Sequence, residues 1–177
     1  MRFRVPFVVT ASLAAACCTA PKPAPTPAPP TSTAPTPTPS PLPAPPPSNW
    51  MDAPATPGDW YYRTGGGTTR ALFGEANQES RLTLTCDPAR RTITIYRAGA
   101  ATGPVPMQVR TEFTGRTLTA NPVPGAIPAV AATLQANDPL LDAMAFSKGR
   151  FGIEVQGMTP LYLPSWPEVT RVIEDCR

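Results

Sequence analysis

Histidine is absent from the 177 residues. That removes the serine–histidine triad, His-ligated zinc and a histidine general base from consideration. Charge is sparse: Asp, Glu, Lys and Arg make up 15% of the chain, against about 25% in an ordinary soluble domain. The four cysteines include no Cys-x-x-Cys pair, so a thioredoxin-type redox motif is missing. Gly65-Gly66-Gly67 is not followed by Gly-Lys-Ser/Thr, which leaves a hairpin turn in place of a phosphate loop. The apolar run from Val5 to Ala16, broken by Pro6, Thr10 and Ser12, is short. As a helix it would span about 18 Å, below the roughly 20 residues of a membrane span.

What is present falls into three segments. Arg2 and Arg4 precede that apolar run, and Ala14, Ala15 and Ala16 close it; residues 1–16 therefore read as a cleavable signal peptide. Leu13-Ala14-Ala15-Ala16-Cys17 resembles a bacterial lipobox, with the leucine four residues before the cysteine where three is usual. We read Cys17 as the lipidation site, palmitate included, with ordinary cleavage to a soluble periplasmic protein as the alternative. A multiply acylated cysteine is a lasting membrane anchor, whereas one chain is not. Cys18 receives no role. The residue after Cys17 is not aspartate, which by resemblance to enteric lipoproteins implies an outer-membrane lipoprotein facing the periplasm.

Residues 17–48 form the lipidated cysteine and a disordered proline-rich tether. Between 21 and 48 the chain holds 14 of its 27 prolines, and otherwise only Ala, Thr, Ser, one Lys and one Leu. Such a stretch has too little apolar surface to offset its ordering entropy. Extended as polyproline II it would reach on the order of 85 Å. A proline-rich ligand for an SH3-like partner is the minor alternative to a passive spacer.

Residues 49–177 are long enough for a single globular domain. They carry 12 basic and 12 acidic side chains. A neutral domain lacks the basic face that a nucleic-acid binder needs. Its pattern is strand-like. Arg81–Cys86 and Thr92–Arg97 alternate apolar residues with threonine around a turn at Asp87–Arg91, which places Leu82, Leu84, Ile93 and Ile95 on a buried face. Further strands are expected at Trp60–Arg63 and Arg70–Phe73 around the three glycines, and from Val105 through Thr111 to Phe113. Others fall at Thr117–Ala120, Ala129–Leu134, Arg150–Gln156 and Leu161–Leu163.

Two short helices carry start signals. Asp138 caps one that begins at Pro139 and runs to about Phe146. Ser165-Trp166-Pro167-Glu168 reads as a capping box, opening a helix to the C-terminus with Trp166, Val169, Val172 and Ile173 on one face. The fold class is therefore mainly β, a small β-sandwich or barrel with two short helices, the second C-terminal. Cys86 ends a strand and Cys176 lies in the last helix; with Cys17 and Cys18 set aside, they are the natural disulfide of an oxidising periplasm.

No catalytic residue, cofactor or metal is assigned. Asp138 and Asp142, at i, i+4, could serve as paired acids, although Asp138 already has a capping role. Glu174 and Asp175 sit at a helix C-terminus, with Arg171 and Arg177 near enough to compensate. Candidate partner contacts are Trp60 and Tyr62, in the aromatic cluster with Trp50 and Tyr61, and Lys148 and Arg150, a basic loop that Arg110 or Arg116 could join around an anion. The irregular stretch Asn121–Pro128 is another.

Asp138-Pro139-Leu140-Leu141-Asp142-Ala143-Met144 together with Glu174-Asp175-Cys176-Arg177 resembles uncharacterised proteobacterial exported lipoproteins. An early Trp-rich strand, a Leu-x-Leu-x-Cys strand and a final Cys-terminated helix are similar in layout to type VI secretion accessory lipoproteins and invasion-associated locus B proteins. The strand-Cys and terminal-Cys plan also resembles membrane-bound lysozyme inhibitors, whose Ser-Gly-x-x-Tyr signature is absent here. These resemblances supply no catalytic residues. They imply a non-enzymatic, envelope-anchored domain that binds or organises an envelope protein or peptidoglycan. The alternatives are an inhibitor of a cell-wall hydrolase and a hydrolase using acidic residues.

Overall fold

A computed structural model describes residues 49–177. The signal peptide, Cys17, Cys18 and the proline-rich stretch lie outside the described residues. A 3-10 turn at Trp50–Asp52 is followed by β1 (Asp59–Gly65), β2 (Thr68–Gly74), β3 (Leu82–Asp87), β4 (Thr92–Ala98), β5 (Val105–Arg110), β6 (Gly115–Val123) and β7 (Ala129–Gln135). Then come α1 (Pro139–Ala145), β8 (Arg150–Val155), β9 (Leu161–Pro164) and α2 (Pro167–Glu174). All nine strands join one antiparallel sheet in the order β1-β2-β3-β4-β7-β6-β5-β8-β9. The expected mainly β domain with two short helices and one disulfide is what forms.

The period of two in the sequence becomes rows across the sheet. One inward row runs Ala71, Leu84, Ile95, Ala132, and the next Cys86, Ile93, Leu134; all are buried. In the other half Met107 and Val109 of β5 face Val155 and Ile153 of β8, and Phe151 and Ile153 face Leu163 and Leu161 of β9. The two halves share β6. Residues 115–120 pair with β5, whereas Asn121, Pro122 and Val123 pair with β7. This strand therefore carries the sheet around a corner, giving a sandwich-like core. Three of the residues expected in the irregular stretch 121–128 thus belong to a strand. Pro122 falls where β6 is no longer paired to β5, and a strand with one unpaired edge can spare an N–H.

Trp60 draws the ends of the sheet together. It lies on β1, packs edge-on against Phe73 and stacked near Phe151 of β8, and its indole N–H donates to the Pro164 carbonyl at 2.8 Å. The segment between the 3-10 turn and β1 crosses the same gap as a strap. The Thr56 N–H donates to the Tyr162 carbonyl at 2.9 Å, and its hydroxyl accepts the Tyr162 N–H at 2.8 Å. These bonds satisfy backbone groups on the β9 edge, which would otherwise be open to strand addition. Gly58 ends the strap with φ +136°, where a Cβ would meet the Gly74 backbone at 2.8 Å; only glycine fits.

Three local expectations change. The strand from Val105 stops at Arg110, because the Thr111 hydroxyl and amide close a turn onto Thr114 (2.8–3.0 Å) and throw Phe113 outward. The capping box does not form: the Ser165 N–H is taken by the Gly149 carbonyl and its hydroxyl by the Met144 carbonyl. The helix cap shifts to Trp166, which has extended backbone and no side-chain cap bond, so the indole leaves the buried face of Val169, Val172 and Ile173. Finally, α2 ends at Glu174, so Cys176 lies in the turn after the helix and not inside it. Its disulfide to Cys86, with Cα atoms 5.5 Å apart, ties that turn to β3.

Candidate binding site

Trp60 and Tyr62 point inward along β1. Trp60 is 5% exposed and belongs to the core. The Tyr62 hydroxyl donates to Asp175 at 2.5 Å, and the Arg171 guanidinium lies 3.9 Å over its ring. The hydrogen bond to Asp175 raises the Tyr62 pKa, with burial second. Lys148 pairs with Glu112 at 3.5 Å, and Arg150 donates to the Ala53 carbonyl at 2.5 Å. Arg110 and Arg116 are drawn to Glu154 and Asp138. Trp60 is therefore part of the core, and Arg110 and Arg116 are each engaged by a carboxylate.

The two aspartates of α1 have separate partners. Asp138 accepts the Leu140 N–H at 2.9 Å and Arg116 at 2.7 Å. Partial burial pushes its pKa up, but these two hydrogen bonds and the Arg116 charge outweigh it and hold the carboxyl below the usual range. Asp142 accepts Arg177 at 2.6 Å, and Arg177 also reaches Glu174 at 3.3 Å. A general acid needs the opposite shift. Among the described residues no group of three or more Cys, Asp or Glu is arranged to hold a metal ion, and no helix is long and apolar enough to cross a membrane.

A different set of side chains lies together on the outer face of β1–β4. The register that sends Leu84 and Ile95 inward sends Arg63, Arg70, Thr85, Thr94 and Thr133 outward in one row. Tyr61, Leu72, Thr83 and Tyr96 form the row beside it. Arg63 and Arg70 stand directly opposite each other. Like charges in that position destabilise a sheet. Yet neither has an acidic partner within ion-pair distance among the described residues. Arg63 donates to the Tyr62 carbonyl at 2.9 Å and approaches the Tyr61 ring at 5.7 Å.

Beside these rows the loop after β2 rises to form a groove of about 390 Å³, lined by Tyr61, Arg63, Leu72 and residues 74–80. Asn77 (φ 61°) turns the loop, and the Glu75–Arg81 pair at 2.5 Å pins it. The groove offers an aromatic ring, a guanidinium, the amides of Asn77 and Gln78 and the carboxylates of Glu75 and Glu79, the first of them paired with Arg81. Such a set can stack on a sugar face and hydrogen-bond hydroxyl and carboxylate groups. Sequence reasoning saw Arg63 and Arg70 only as hairpin residues. Their adjacency depends on the two-residue turn Gly66-Gly67, with φ +61° and +73°, which sets the β1–β2 register.

Comparison of the chain with family models, with curated proteins and with solved structures finds no match. The geometry alone describes an antiparallel, disulfide-closed β-domain with a polar–aromatic outer face.

Proposed function

We propose that residues 49–177 are a non-enzymatic binding domain of the bacterial envelope, held to the outer membrane through acylated Cys17. Its ligand is peptidoglycan. The observation that carries this reading is the outer face of β1–β4, where two opposed arginines, without acidic partners among the described residues, adjoin a groove lined by Tyr61. Peptidoglycan combines sugar faces with the carboxylates of its peptide stems, and those are the groups that an aromatic ring and guanidinium pairs recognise. The proline-rich stretch supplies the reach from the membrane.

Co-sedimentation of the full chain with purified sacculi tests the reading. The chain is expected to sediment, and Arg63→Glu with Arg70→Glu to weaken binding about tenfold or more. A full chain that stays in the supernatant would overturn it. The same mixtures followed by turbidity, with and without lysozyme, address the alternatives: loss of turbidity without lysozyme favours a hydrolase, and protection against lysozyme favours an inhibitor. Palmitate labelling that persists in Cys17→Ala would refute the anchor.

A further inference from the structure

Three loops and the first turn of the domain, linked to one another by hydrogen bonds, carry exposed apolar side chains. Phe113 (64% exposed) projects from the β5–β6 turn, Phe146 (66%) from the end of α1, Trp166 (42%) from the start of α2 and Met51 (43%) from the 3-10 turn. Hydrogen bonds hold the loops together. The Glu112 N–H donates to the Ser147 hydroxyl at 3.0 Å, and the Ser165 N–H to the Gly149 carbonyl at 3.3 Å. Arg150 ties the same region to the Ala53 carbonyl, behind Met51.

These side chains lie outside the core and belong to none of the outer rows of β1–β4. Exposed apolar groups gathered on loops that bond to one another mark a surface that something covers. Here they protrude singly from separate loops, in contrast to a flat interlocking face. Two phenylalanines, a tryptophan and a methionine are side chains suited to the headgroup–acyl boundary. The charges beside them are matched: Lys148 with Glu112, and Arg110 with Glu154. The turn bearing Met51 is also where the chain arrives from the proline-rich stretch and, on the lipid-anchored reading, from the membrane itself.

We infer that these loops form a docking surface for a lipid bilayer, inserting Phe113, Phe146 and Trp166 into the interface. The inference rests on the anchored reading, because a tether of this length holds the domain at about millimolar local concentration beside the bilayer, where weak insertion becomes populated. The anchor and the insertion are nevertheless separately measurable.

The test uses the full chain with phosphatidylethanolamine–phosphatidylglycerol vesicles whose acyl chains are brominated. Tryptophan emission is expected to be quenched, and Trp166→Phe to remove about half or more of the quenching, since Trp60 lies in the core and Trp50 is half-buried and stacked on Tyr162. Phe113→Ser with Phe146→Ser is expected to abolish it, while Arg63→Glu with Arg70→Glu leaves it unchanged. Cys17→Ala is expected to lose vesicle retention at low lipid yet keep the quenching at high lipid. Retention unchanged in Cys17→Ala would remove the anchor alone, leaving the quenching to decide the insertion. Absence of bromine quenching, or quenching insensitive to Trp166→Phe, overturns the inference. Self-association abolished by the Phe113→Ser and Phe146→Ser pair also overturns it, by assigning the surface to a second copy of the chain.

Discussion

Arg97 is the residue whose role is least visible in its surroundings along the chain. The register places it on the inward face, between Leu82 and Val130. It is 8% exposed, and its guanidinium is held by the carbonyls of Arg81, Ala98 and Thr159, without a carboxylate. Burial lowers its pKa, as does the neighbouring Arg81 charge. Removing it takes a donor from the Ala98 and Thr159 carbonyls, whereas the Arg81 carbonyl keeps the Ala98 N–H, so Arg97→Ala is expected to cost about 2–3 kcal/mol, measurable by urea unfolding. Asp138 makes a pH prediction. Its pKa is depressed in the fold by its bonds from Arg116 and Leu140. The stability it contributes is therefore complete above its unfolded value and is lost as pH falls through the folded one. Asp138→Asn should flatten the acid limb of the stability–pH curve and leave less stability at neutral pH.

At the scale of elements, the disulfide and the strand order tell most about what a sequence can disclose. Cys86–Cys176 closes a separation of 90 residues, and the loop-entropy estimate for such a closure is about 4–5 kcal/mol. Cys176→Ser should lower the unfolding free energy by about that amount, with α2 losing amide protection first. The pairing was legible because only two cysteines remained in the domain. The strands were legible because alternation is local: Leu82, Leu84, Ile93 and Ile95 all face inward as their spacing demands. The capping box was not, since Ser165 is claimed by Gly149 and Met144, partners distant in sequence. For the same reason the outer row of Arg63, Arg70 and Thr85 appears only once three strands are in register.

For the whole molecule, the equal numbers of acidic and basic side chains after residue 48 make local charge the quantity of interest. If sacculus binding runs through Arg63 and Arg70, its affinity should fall with salt as expected for about two ion contacts, because the domain has no net field to add. A steeper dependence, in co-sedimentation across a salt series, would place other arginines in the contact. The zero histidine count then has a further meaning: the domain has no side chain with an ordinary pKa between pH 5 and 8, so binding should be nearly constant over that range.

The strap from Asn49 to Gly58 has a mechanical consequence. A chain held at its N-terminal side and gripping a wall would feel tension first at this segment. Its two Thr56 bonds to Tyr162 and the Trp50–Tyr162 stack stand ahead of every strand pair. Pulling would peel the strap before it sheared the sheet, baring the β9 edge while the disulfide still tied the C-terminal turn to β3. The domain would thus yield in two stages, the first reversible and small.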